Sequence, residues 1–295
     1  MNFHNQKRVA IVSGASSGIG QAAALALAAK GWQVIGLGRD LKRCAVAETA
    51  LRAAAAPETP TAMLRTDLSS LRETDRVARE LLAKTDRVDV LINNAGGVGK
   101  EMVMTAEGFE STFASNHLGP FLLTMRLLPL LRATARASEP GAVRIIATSS
   151  VGHHSSPPMD WNDLQRTANF TTGGAYTNAK LANVLFSRAL AKRLGSDGIV
   201  AHAMEPGVVL ASNFVTHADS SMQRYMATLN DVAVSPEEAA ATLVWLATSP
   251  EAGLTSGGYY YQCKPARVSA AGQDDAAAER LWVESEALIA RAGLL

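Results

Sequence analysis

The chain has 295 residues, 47% of them hydrophobic, and its 28 basic and 27 acidic side chains leave a net charge of +1. So even a balance supplies no broad attraction to nucleic acid or to an anionic membrane, and a small-molecule partner is expected instead. Two cysteines, Cys44 and Cys263, are too few for a disulfide framework or a cysteine-rich zinc site, and they read as free thiols of a reducing, cytoplasmic compartment.

The opening "MNFHNQKRVAIVSGASSG" carries no apolar run of signal or membrane length before the first predicted strand, "RVAIVS". A glycine turn and a helix from about Ile19 follow. The strands "QVIGLG", "TAMLRTD" and "VDVLINNAG" come next, each separated from the last by an alanine- and leucine-rich helical stretch. Strands alternating with helices predict parallel pairing through helical crossovers. The rhythm continues through "AVRIIATSS", a helix across "GGAYTNAKLANVLFSRAL", the strand "IVAHAMEPG" and a final strand near "GGYYYQ". Between the last two, "SPEEAAATLVWLA" predicts a helix with Ser235 as N-cap and Pro236 at its first position. Pro57 and Pro60 mark a loop. No charged tail, repeat or linker divides the chain, so residues 1–295 are expected to form one α/β domain, a doubly wound, predominantly parallel sheet of about seven strands.

Gly14, Gly18 and Gly20 fall in "SGASSGIG", directly after a strand and at the start of a helix. Glycines there let the backbone turn tightly and approach a pyrophosphate, whose charge the helix amides would face. Glycines also serve purely structural turns, but this placement favours a dinucleotide. The second strand ends Gly38, Arg39, Asp40. Arg39 can fork onto a ribose 2′-phosphate, and Gly38 offers no carboxylate to repel one, which favours NADP(H). Asp40 would instead contact a ribose hydroxyl if the strand ran one residue further.

Tyr176 and Lys180 stand four residues apart on one predicted helix and so share a face. The lysine charge favours the phenolate and burial opposes it, so a lowered tyrosine pKa requires the charge to win.

With "NNAG" at Asn93 to Gly96, "SNHLG" around Asn116, "IIATSS" ending at Ser150 and "EPG" at Glu205 to Gly207, these features resemble a classical-type short-chain dehydrogenase/reductase over nearly the whole chain. "TSSVGHH", "AYTNAKLANVLFSRALAKRL" and "GGYYYQCKPAR" bring it near the retinol-dehydrogenase-like and carbonyl-reductase branch. The resemblance implies that Tyr176 exchanges a proton with the reacting oxygen, that Lys180 favours the phenolate and binds the nicotinamide ribose, and that Ser150, rather than the adjacent Ser149, positions the reacting oxygen. Asn116 would anchor a water that leads protons away from Lys180. The glycine turn, with Ser13, Ser16, Ser17 and Ile19, would line the cofactor. Asp67 and its neighbour Leu68 would meet the adenine, while Asn93, Ala95 and Gly96 would flank the adenosine ribose. Pro206, Gly207 and Val208 would bring backbone against the nicotinamide. A homodimer or homotetramer is implied as well.

Two positions depart from the family pattern: Ser13 replaces a frequent threonine, and Ser212 stands in for the threonine usual after the proline-glycine segment. The 26-residue interval from Ser150 to Tyr176 is long. Insertions near 151–175 and 208–235 are expected at the mouth of the site. Trp161 and Phe170 would border an apolar substrate pocket and Phe214, Met222 and Tyr225 would cover it, with core packing as the competing role of each. His153 and His154 lack ordered carboxylate or cysteine partners, so no metal is expected and a turn or pocket rim is preferred for them. The expected activity is NADP(H)-dependent interconversion of an apolar alcohol with its aldehyde or ketone. The alternatives are reduction of an activated carbon–carbon double bond and a dinucleotide-binding regulator without turnover. The N-terminal membrane segment found in many resembling enzymes is missing, so retinoid chemistry is not inferred.

Overall fold

Among the described residues, eight strands form a single sheet in the order β3-β2-β1-β4-β5-β6-β7-β8. They are β1 (Val9–Ser13), β2 (Gln33–Gly38), β3 (Thr61–Arg65), β4 (Val90–Asn93), β5 (Val143–Thr148), β6 (Ile199–Met204), β7 (Tyr259–Tyr261) and β8 (Lys264–Pro265). The computed structural model describes residues 7–210 and 220–294. All pairings are parallel except β7 with β8.

The helices are α1 (Gly18–Ala29), α2 (Leu41–Ala54), α3 (Leu71–Lys84), α4 (Ser111–Phe113), α5 (Gly119–Arg136), α6 (Thr172–Leu194), α7 (Ser220–Ala227), α8 (Pro236–Thr248) and α9 (Asp275–Arg291). Strand residues β1, β4, β5 and β6 are buried throughout, because helices cover both faces. Val9 and Ile11 pack with α3, α5, α6 and α9, while Ala10 and Val12 pack with α1 and α8. The period-two alternation of a strand thus feeds two cores. Among the described residues, no helix is long and apolar enough to cross a membrane.

The predicted strands and helices stand where the sequence put them, within a residue or two at most ends. Helix α8 begins with the expected cap: the Glu238 amide donates to Ser235 Oγ at 3.1 Å, and Ser235 N donates back to Glu238 Oε2 at 2.8 Å. The strand count differs by one. The eighth strand is a two-residue edge that turns back through Gln262 and Cys263, at φ 48° and 60°. Residues other than Gly, Asn and Asp seldom signal such a turn, and Pro265 argues against a strand except at an edge.

Candidate active site

The neighbours of β1 are β2 and β4, so the sheet order reverses at the carboxyl end of β1, where open α/β sheets bind ligands. Ser13 ties that crevice together. Its Oγ accepts from the amides of Asn94 and Ala95, both at 2.9 Å, and donates to Ile92 O at 3.2 Å. Gly14, at φ 73°, begins the turn; a Cβ on Gly20 would stand 2.5 Å from Gly14 O and 2.4 Å from Asn94 Nδ2. The turn therefore depends on Asn94, whose Nδ2 donates to Ser13 O at 3.0 Å. Helix α1 has no acidic residue in its first turn. Its amides keep their positive end free of a carboxylate from the helix itself, and Ser16, Ser17, Gly18 and Ile19 stand at this end.

At the end of β2, a Cβ on Gly38 would lie 2.7 Å from Cys44 Sγ and 2.8 Å from Ser16 Cβ. No carboxylate fits there without displacement. Arg39 is exposed beyond it. Asp40 is engaged by its own helix, its Oδ1 accepting from Arg43 N at 2.8 Å, and this bond, the main cause, lowers its pKa. Asp67 Oδ1 likewise accepts from Ser69 N and Oγ at 3.0 and 2.8 Å, and Leu68 is buried beside it. Asn93 differs from expectation. Its side chain is buried and donates to Thr124 Oγ1 on α5 at 2.9 Å, leaving the backbone and Asn94 to face the crevice.

Helix α6 opens at Thr171, whose Oγ1 accepts from Gly174 N at 3.0 Å. One turn in, Tyr176 meets Ser150 in a hydrogen bond between side chains. Ser150 stands just past β5, where its Oγ also accepts from Gly152 N at 3.0 Å. Ser149 is buried and turns the other way, donating to Lys180 O at 2.8 Å. Lys180 Nζ lies over the Tyr176 ring, 5.5 Å from its centroid, and donates to Thr148 O at 3.1 Å. Burial pushes the Tyr176 phenol up to about 12 and the Lys180 ammonium down to about 8. Of the two opposing effects on the tyrosine, burial prevails, and the Ser150 hydrogen bond offsets only part of it.

Asn116 sits in a π-helical turn, Ala114–Leu118, between α4 and α5. Its Oδ1 accepts from Gly97 N at 3.0 Å, and its Nδ2 donates to Gly97 O at 3.0 Å and Thr112 O at 2.8 Å. Gly96 lies between it and the lysine: a Cβ there would be 2.3 Å from Asn116 Oδ1 and 3.3 Å from Lys180 Nζ. Asn116, Ser150, Tyr176 and Lys180 thus converge at the carboxyl ends of β4 and β5. Past β6, Gly207 takes φ 79°, and Val208 O accepts from Val234 N at 2.8 Å, which holds the Pro206–Val208 turn against the entrance to α8.

A family model described as "short chain dehydrogenase" matches residues 8–222. The chain belongs to the short-chain dehydrogenase family. It is a classical-type member close to the retinol-dehydrogenase-like branch, and as such an oxidoreductase of alcohols and carbonyl compounds whose fold binds a nicotinamide dinucleotide. It is 35% identical over 287 residues to human retinol dehydrogenase 13, covering 96% of this chain and 84% of that protein. Human retinol dehydrogenase 12 is 35% identical over 275 residues, covering 93% and 84%. Among solved structures, a Mycobacterium paratuberculosis protein superposes with TM-score 0.73 at 28% identity, covering 95% of this chain and 92% of that one. Pseudomonas aeruginosa RhlG in an NADP active-site complex does so with TM-score 0.66 at 28% identity, covering 85% and 93%.

The expected pocket residues divide. Trp161 packs on the core beside α9, with the Arg280 guanidinium 4.5 Å from its ring centroid. Phe170 is half-buried just before α6. Ser212 and Phe214 lie outside the described residues, as do the side chains of Met222 and Tyr225. His153 and His154 lie in the 3-10 turn Val151–Ser155, His153 fully buried and His154 exposed. Among the described residues, no three His, Cys, Asp or Glu side chains are grouped to hold a metal.

Proposed function

We propose that the protein interconverts an apolar alcohol and its aldehyde or ketone with NADP(H). The observation that carries this reading is the Ser150–Tyr176 hydrogen bond with Lys180 beneath the ring. A bound nicotinamide would supply or accept the hydride. The Ser150 hydroxyl would hold the carbonyl oxygen, and Tyr176, kept protonated by burial, would give it a proton; in oxidation the phenolate, formed once the phenol's own proton has passed to solvent, would take the alcohol's proton. The side-chain amide of Asn116 is engaged by Gly97 and Thr112, so a water leading protons from Lys180 would rest on its main-chain carbonyl.

Gly14, Gly18, Gly20 and the α1 amides would hold the diphosphate. Exposed Arg39, beside a Gly38 that has no room for a carboxylate, supports the 2′-phosphate. RhlG was solved with NADP, whereas other similar structures were solved with NAD or NADH, so Arg39 and Gly38 carry the preference. The apolar substrate is supported by the names of the retinol dehydrogenases and by half-buried Phe170, while Trp161 is assigned to packing. Two free thiols suit a cytoplasmic location. A panel of aliphatic and aromatic aldehydes, ketones and enones, with NADPH oxidation followed and products identified, tests the reading. Alcohol products support it. Saturated carbonyl products from the enones would establish double-bond reduction, and NADPH binding without turnover of any substrate would establish a regulator.

A further inference from the structure

Behind the proposed catalytic serine lies a buried polar cluster that the reaction itself does not use. His153, Tyr259 and Glu205 come from three different elements: the 3-10 turn Val151–Ser155, strand β7, and the residue just after β6. His153 is 0% and Tyr259 4% exposed. His153 Nδ1 lies 2.7 Å from Ser150 O, and Ser269 N donates to His153 Nε2 at 3.2 Å. A carbonyl only accepts and an amide only donates, so the ring is neutral with its proton on Nδ1. The proton of Tyr259 then belongs to Glu205, whose Oε2 it reaches at 2.9 Å, while the phenol oxygen faces Nδ1 at 3.3 Å. Burial, and then the Glu205 charge, raise the Tyr259 pKa, so the phenol remains a donor.

The two ends of this cluster matter differently. Ser150 O is also where the His153 amide bonds, at 3.0 Å, so the imidazole holds the backbone of the residue proposed to hold the reacting oxygen. Glu205 immediately precedes Pro206 and Gly207, the turn proposed to meet the nicotinamide. Its own amide donates to Tyr260 O at 3.0 Å. The space between the two turns is therefore spanned by Tyr259.

We infer that Tyr259, with His153 and Glu205, is a positioning network that fixes the Ser150 turn relative to the Pro206–Gly207 turn, and so sets the reacting oxygen against the nicotinamide edge. The inference rests on the proposed role of Ser150. Displacement of reacting groups by about 1 Å can cost on the order of 100-fold in rate, so loss of such a brace should appear in kcat before binding.

The test uses the full chain with Tyr259→Phe, which keeps the ring and removes the hydroxyl, together with Glu205→Gln and Glu205→Ala. Amide hydrogen exchange is read at Gly152, His153 and Ser269 on one side, Glu205 on the other, and Ala266, which bonds Tyr259 O within the same strand pair, as control. Tyr259→Phe is expected to speed exchange at the first four amides about tenfold and leave Ala266 unchanged. It should lower kcat about tenfold while the KM for a carbonyl and the Kd for NADPH stay within about twofold. Glu205→Gln, which still accepts from the phenol, should retain most protection and rate; Glu205→Ala should behave like Tyr259→Phe. Wild-type exchange at Gly152 and His153 in Tyr259→Phe, or an unchanged kcat, overturns the network. If the wild type reduces no carbonyl at all, the reading of function fails separately, and the exchange pattern alone decides whether the two turns are coupled.

Discussion

Ser149 Oγ donates to the main-chain carbonyl of Lys180 at 2.8 Å, so the first of two adjacent serines fastens the end of β5 to α6 while the second faces Tyr176. Their alternation is that of a strand end, where successive side chains point oppositely. Ser150→Ala should lower kcat about 100-fold or more, as loss of a donor to the reacting oxygen does. Ser149→Ala should instead cost about 1 kcal/mol of stability and leave kcat within a few-fold. Steady-state rates and denaturant unfolding of both variants check this. Equal rate losses would remove the distinction between the serines.

Tyr176 carries the pH behaviour. Its pKa, pushed up to about 12 by burial, lies far above neutrality, so the proton needed for carbonyl reduction is present throughout the ordinary range. Oxidation needs the deprotonated oxygen, whose population grows as pH rises. Reduction should therefore be flat between about pH 6 and 8, while alcohol oxidation climbs with pH over the same range. Tyr176→Phe should lower turnover by about 100-fold or more in both directions with little change in cofactor affinity. Initial rates across pH, with cofactor titrations, decide it; wild-type turnover in Tyr176→Phe would remove the proposed proton donor.

Arg39 is the group through which the cofactor phosphate would be read. Arg39→Ala should weaken NADPH binding about tenfold or more and leave NADH binding within about twofold, because only one of the two carries the phosphate. Asp40 does not oppose this strongly, since its carboxylate accepts from Arg43 N at 2.8 Å. Paired titrations of NADPH and NADH against wild type and variant measure the difference. A preference for NADH that the substitution does not alter would reject the assignment.

The elements that could be read from the sequence were those with local signatures. The Ser235–Glu238 cap, the glycine turn and the Tyr176–Lys180 face each depend on residues within a few positions of one another, and each stands as expected. What escaped depends on distant partners. Glu205 and Tyr259 are 54 positions apart, and although each falls in a stretch that carries the family resemblance, nothing local joins the two until β6 and β7 pair. Asn94 was overshadowed by Asn93 because two adjacent asparagines look alike until the strand end turns one toward Thr124 and the other toward Ser13. Trp161 is open to both pocket and packing in the sequence, since it lies between Ser150 and Tyr176, and only Arg280 on the last helix, over its ring, decides for packing. The sign of the Tyr176 shift depends on how deeply α6 and the Ser150 turn bury the phenol, which spacing along the chain does not show.

His117, one residue past Asn116, makes stability depend on acid. It is 0% exposed among Phe113, Phe121 and Phe186, and its Nε2 lies 2.8 Å from Ser285 Oγ. That hydroxyl donates to Leu281 O at 2.7 Å, so Nε2 carries the proton. Nδ1 is buried and meets no hydrogen-bond partner among the described residues. A charged imidazole would have to place a second donor there, and burial pushes the pKa down to about 3 from an ordinary value of 6.5. Between those values the unfolded chain binds the proton and the folded chain does not. Stability is therefore full above about pH 6.5 and falls as the pH drops toward 3, by up to about 1.4 kcal/mol per pH unit for this one group. His117→Gln, which can still donate to Ser285, should be somewhat less stable at neutral pH but show a slope between pH 6.5 and 4 that is shallower by up to one proton. Buried His153 and His202, whose pKa values burial also lowers, keep the remaining slope. Denaturant unfolding at several pH values measures both lines, and parallel slopes for wild type and variant would show that His117 is not the group that titrates.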